Sequence, residues 1–170
     1  MRVPVSGLLG PALLLLAGCA GYELGPTMGR QAGATSIQIN ALANRTLEPR
    51  LTDAVTQALR KRVQQDGTFR LNTDNTGDII VTGAIVEYQR LGVSFDPDDV
   101  ISPRDFLLTM VAQITARERN TGRVLIDRKV TGRSTARLLT DLPSTERQAI
   151  PLVAEDLARR TVALLVDGDW

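Results

Sequence analysis

The chain has 170 residues, 20 Lys plus Arg against 19 Asp plus Glu, no His, one Cys and 4% aromatic residues. Without His there is no Ser-His or Cys-His catalytic pair and no His metal site. One Cys excludes an intrachain disulfide and a Cys-based zinc site. Near-neutral charge and few aromatics argue against a nucleic-acid binder, and no cofactor is implied.

Residues 1–18 read as a lipoprotein signal peptide. Arg2 gives a short positive start, an apolar run extends from Leu8 to Leu16, and small residues close it. That run is too short for a stable membrane span. The ending Leu16-Ala17-Gly18-Cys19 looks like a bacterial lipobox, so Cys19 is expected to carry the lipid. Acyl chains there would anchor the protein, each buried CH₂ contributing about 0.8 kcal/mol. The next residue is Ala20 rather than Asp. By resemblance to bacterial lipoproteins this favours an outer-membrane location on the periplasmic side.

Residues 19–34 form a lipidated lead-in punctuated by Gly21, Gly25, Pro26, Gly29 and Gly33. Residues 35–170 read as one α/β domain. Ser36 to Asn40 alternates and predicts a strand. Leu47, Leu51, Ala54, Val55, Ala58, Leu59 and Val63 recur at helical spacing, with Thr46 as expected N-cap, Pro49 in the first turn and Gly67 as the stop. Thr68 to Leu71 predicts a short strand, Asp74 to Asp78 a turn, and Ile79 to Arg90 a buried strand. Phe106, Leu108, Met110, Ala112, Ile114 and Ala116 alternate with polar residues, a strand with one buried face. Arg119-Asn120-Thr121-Gly122 predicts a hairpin turn into a strand through Val124, Ile126 and Val130. From Pro143 the helical period returns through Ile150, Val153, Ala154, Leu157, Ala158, Val162 and Leu165. The order β-α-β-β-β-β-α predicts an α+β two-layer sandwich, two helices on one face of a mixed sheet.

Few residue groups carry chemistry. The acids of Asp96-Pro97-Asp98-Asp99 could meet a cation but read better as a solvated loop. The Asp74 loop lacks the EF-hand Glu, with Ile85 at its twelfth place. Glu87 is the one acid expected to be partly buried, and no carboxylate pair stands out. Lys61 and Lys129 fall on predicted surfaces, and neither a P-loop nor Gly-x-Gly-x-x-Gly occurs. The chain is therefore not expected to be an enzyme, and no metal site is expected.

Charge is segregated. Leu71 to Ala116 holds seven acids and two arginines, whereas Arg117 to Arg137 holds seven cations and two acids. Arg117, Arg119, Arg123, Arg128, Lys129 and Arg133 are candidates for gripping an anionic amphiphile, since guanidinium forks suit phosphate. A charged sheet edge that resists aggregation is the competing reading.

The start Cys19-Ala20-Gly21-Tyr22-Glu23-Leu24-Gly25 resembles the Cys-Gly-Tyr-x-Leu start of the LptE family, with Ala20 inserted. Ile37-Gln38-Ile39, Asn44-Arg45-Thr46, Gly77 to Gly83 and Thr121 to Leu125 are similar to that family's first strand, turn and central strands. The resemblance runs from about Cys19 to Val166. It implies two helices on a sheet, and a partner, the outer-membrane barrel LptD, which the lipoprotein plugs and helps to assemble. It also implies assisting lipopolysaccharide insertion into the outer leaflet, and contact with lipopolysaccharide through basic residues. The six cations above follow from charge, not from the resemblance. A rival reading is a regulator of a cell-wall synthase, like LpoB. Reaching an inner-membrane enzyme needs a long linker, and a fifteen-residue lead-in spans at most roughly 50 Å.

Overall fold

The computed structural model describes residues 32–96, 99–137 and 141–168. The expected signal peptide, Cys19 and most of the expected lead-in lie outside them. Among the described residues no helix is long and apolar enough to cross a membrane.

The elements run β1 (Ser36–Ile39), β2 (Ala43–Asn44), α1 (Leu51–Asp66), β3 (Arg70–Asn72), β4 (Ile79–Asp96), β5 (Asp99–Glu118), β6 (Val124–Arg137) and α2 (Leu142–Asp167). They build one six-stranded mixed sheet in the order β3-β1-β4-β5-β6, with the short β2 also against β4. β1 is parallel to β3 and to β4, and β4-β5-β6 is an antiparallel meander. Both helices pack together on one face, so the expected α+β two-layer sandwich is the observed fold, with β2 as an addition.

The alternation of the sequence decides which face is covered. Ile37 and Ile39 of β1, Val81 and Ile85 of β4, and Met110, Ala112, Ile114 and Ala116 of β5 are buried under the helices. Leu51, Val55, Leu59 and Val63 of α1 and Val153, Ala154, Leu157 and Val162 of α2 complete the core. Each large side chain removed from water contributes about 1.5–3 kcal/mol. The other face includes Thr109, Gln113, Thr115 and Asp127 together with the exposed Arg117, Lys129 and Arg133. There the Asp127 carboxylate accepts from Gln113 Nε2 at 2.6 Å and from Thr115 Oγ1 at 3.1 Å.

The helix ends are only half as read. Gly67 ends α1 with φ 76°, its N–H donating to the Val63 carbonyl at 3.2 Å. The start is not at Thr46. Asn44 Oδ1 accepts from Thr46 N at 3.0 Å and from its hydroxyl at 2.8 Å, and Thr46 Oγ1 accepts from Glu48 N. This turn commits Thr46 locally. Arg50 then adopts φ 70°, α1 begins at Leu51 without a side-chain cap, and Leu47 is wholly exposed rather than on the apolar face. α2 is capped by Asp141, whose carboxylate accepts from Ser144 N at 2.7 Å. Pro151 lies inside α2, where it removes one helical hydrogen bond.

β4 and β5 are longer than the pattern predicts. They pair beyond Arg90 to Asp96 and Asp99, through register shifts at Ile85/Glu87 and after Gly92. The first shift turns Glu87 outward, so it is exposed, not partly buried. Pro97 and Asp98 lie outside the described residues.

Candidate functional site

The six candidate cations of the last hairpin fall into four environments. Lys129 stands opposite Gln113 and Arg133 opposite Thr109, so both lie on the helix-free face of the sheet. Arg117, opposite Ile80, shares that face. All three are exposed. Measured along β5, they are spaced four residues apart, a stripe of roughly 27 Å at about 3.3 Å per residue. Arg128 is opposite Ile114 and belongs to the helix-bearing side. Arg123 sits past the turn, its Nε 3.6 Å from the Glu118 carboxylate. The six residues therefore do not converge on one pocket.

Arg119 is committed to the fold. After β3 the chain crosses over β1 to reach β4, and Gly77 lies so close that a Cβ there would be 2.7 Å from the Gln38 backbone nitrogen. Arg119 fastens this crossing. Its Nε donates to the Gly77 carbonyl at 2.7 Å, and its terminal nitrogen donates to Gln38 Oε1 at 2.6 Å and the Asn75 carbonyl at 2.7 Å. Its backbone N–H donates to the Asp78 carbonyl at 2.7 Å. Asn72 Oδ1 shapes the same loop by accepting from Asp74 N and Thr76 N, so the Asx residue that builds the turn stands just before the predicted span Asp74 to Asp78. Asp78 accepts from the Ser36 hydroxyl at 2.6 Å and its N–H at 2.9 Å. These hydrogen bonds hold the Asp78 carboxyl below the usual carboxylate range.

α2 closes the β6 side. Asp156 accepts from Arg133 N at 3.0 Å, satisfying an edge N–H of β6, and also binds the guanidinium groups of Arg159 and Arg160. Burial pushes the Asp156 carboxyl up, but these donors outweigh it and its pKa is lowered. Close helix–strand contact depends on Gly132, since a Cβ there would stand 2.6 Å from the Val153 carbonyl oxygen.

Sequence reasoning missed a polar group on the other side. Arg90 pairs with Glu146 at 2.7 Å, and the Tyr88 hydroxyl donates to Glu146 at 3.3 Å. Burial, together with the Glu146 charge, pushes the Tyr88 hydroxyl pKa upward. No local signal links residues 58 positions apart. Among the described residues no acidic cluster could hold a metal ion.

A family model described as LptE, lipopolysaccharide-assembly, matches residues 34–165. No curated protein matches the chain in sequence. Similar solved structures share the fold at low identity. A hypothetical protein of Chlamydia trachomatis is 10% identical with a TM-score of 0.57, over 79% of this chain and 96% of its own. A Xanthomonas campestris protein is 10% identical with a TM-score of 0.57, over 85% and 91%. A minor lipoprotein of Acinetobacter baumannii is 15% identical with a TM-score of 0.51, over 78% and 93%.

Proposed function

Because the chain belongs to the LptE family of non-enzymatic lipopolysaccharide-assembly lipoproteins, we propose that it is anchored through Cys19 to the periplasmic side of the outer membrane. There it plugs an LptD-type barrel, helps it to assemble and assists lipopolysaccharide into the outer leaflet. The family match over residues 34–165 carries this reading. The lipobox at Cys19 supports the anchor. A compact domain with segregated charge suits the polar lumen of a barrel, where complementary charge fixes register more than affinity.

Lipopolysaccharide is anionic through its phosphates. The candidate ligands are Arg117, Arg123, Arg128, Lys129 and Arg133, and among them the stripe Arg117, Lys129 and Arg133 shares one accessible face. Arg119 belongs to the same charged segment, but its guanidinium is occupied by Gly77, Gln38 and Asn75.

Replacing Arg117, Lys129 and Arg133 together with Gln should weaken lipopolysaccharide binding about tenfold, since exposed charge contacts contribute roughly 0.5 kcal/mol each. The loss should shrink as salt is raised. Binding of purified lipopolysaccharide to the triple variant, measured at two ionic strengths, checks it. Equal affinity for variant and parent would remove the stripe from the account.

A further inference from the structure

Sheet edges expose unpaired N–H and C=O groups, and proteins ordinarily shorten or cover them. Here β3 is three residues long, and the β6 edge is covered where Asp156 accepts from Arg133 N. The edge of β4 facing away from β5 is treated differently. It pairs with β1 up to Val81 and with β2 at Ala84 and Ile85, and Arg45 N donates to the Ile85 carbonyl at 2.9 Å. Among the described residues no strand pairs with this edge beyond Ile85.

The far end of this edge, from Leu91, is apolar, whereas Glu87, Gln89 and Arg90 before it are exposed polar residues. Leu91, Val93 and Phe95 are 62%, 47% and 46% exposed, and Leu91 to Phe95 contains no charge. The Arg90 guanidinium beside it is neutralised by Glu146. Along the ladder itself, Tyr88 and Arg90 face Thr46, Leu47 and Glu48 across a notch of about 400 Å³, with Leu47 projecting wholly into solvent. From Glu87 to Gly92 the pairing with β5 is regular, so six residues present an unbroken ladder between two register shifts.

We propose that the β4 edge at Glu87–Gly92 is a strand-addition site that takes an extended segment of the barrel partner. A row of backbone N–H and C=O groups with no described strand against it suits an added strand. Leu47 at one end and Leu91, Val93 and Phe95 at the other offer apolar contacts to alternate side chains of that segment. This inference rests on the barrel-plug reading, and its test separates the two.

The test places a photo-crosslinking amino acid singly at Glu87, Gln89 or Leu91 in the full lipidated chain in cells. Val111 and Thr131, on the helix-free face, serve as comparison sites. The expected result is an adduct with one barrel protein whose attachment point moves by two residues for each two-residue step along β4. Barrel adducts from Val111 or Thr131 but none from the β4 positions would overturn the strand-addition site and leave the plug reading standing. Adducts without the two-residue step, or with a second copy of this chain, would also overturn the site. An absence of barrel adducts from every position would overturn both.

Discussion

Substituting Gly132 with alanine should destabilise the domain by about 3 kcal/mol, near the upper end for overpacking a core. A Cβ at this position would meet the Val153 carbonyl oxygen at 2.6 Å, Leu157 Cβ at 2.7 Å and Leu157 N at 2.8 Å. Two of these atoms are backbone, so neither can swing aside as a side-chain tip would. α2 would have to lift from β6, opening the core around Val130, Val153 and Leu157, all buried. It would also lengthen the bond from Arg133 N to Asp156. Thermal unfolding followed by circular dichroism should show the midpoint fall by about 10 °C. An unchanged midpoint would mean that α2 does not sit on β6 as described.

Changing Arg119 to Gln should cost about 2–3 kcal/mol, whereas Arg117→Gln should stay within about 0.5 kcal/mol of the parent. Both are arginines of the same basic segment, so charge alone would treat them alike. Arg119 differs because its guanidinium serves Gly77, Gln38 and Asn75 at once. Removing it leaves Gln38 Oε1 and two carbonyls without that donor and loosens the loop that carries the chain from β3 to β4. Urea unfolding of the two variants separates them. Equal midpoints would return Arg119 to the pool of free surface cations.

This contrast shows where the sequence is legible and where it is not. Period two in Phe106 to Ala116 and helical spacing in Val153 to Leu165 read directly onto buried faces, because burial acts on every residue of a regular element. The α+β sandwich and the Gly67 stop follow from the same local rules. The start of α1 does not, because the Asn44 side chain captures Thr46 before it can cap the helix. Glu87 is misplaced for a related reason. One register shift after Ile85 reverses the facing of the residues from Glu87 to Gly92, and no residue type announces it.

For the candidate site the sequence gives charge but not direction. Alternation along β6 places Lys129 and Arg133 on one face and Arg128 on the other. The role of Arg119 depends on Gln38, 81 positions away, and so lies beyond any local pattern. The bare β4 edge is likewise a property of topology, since it exists only because β2 stops after two residues.

The central claim is membership of a barrel-plug complex in the outer membrane. Its most direct test is to purify the tagged, lipidated chain from gently solubilised outer membranes and identify what accompanies it by mass spectrometry. The account predicts one LptD-type barrel protein in a one-to-one ratio. A cell-wall synthase in its place, or no barrel protein at all, would contradict it.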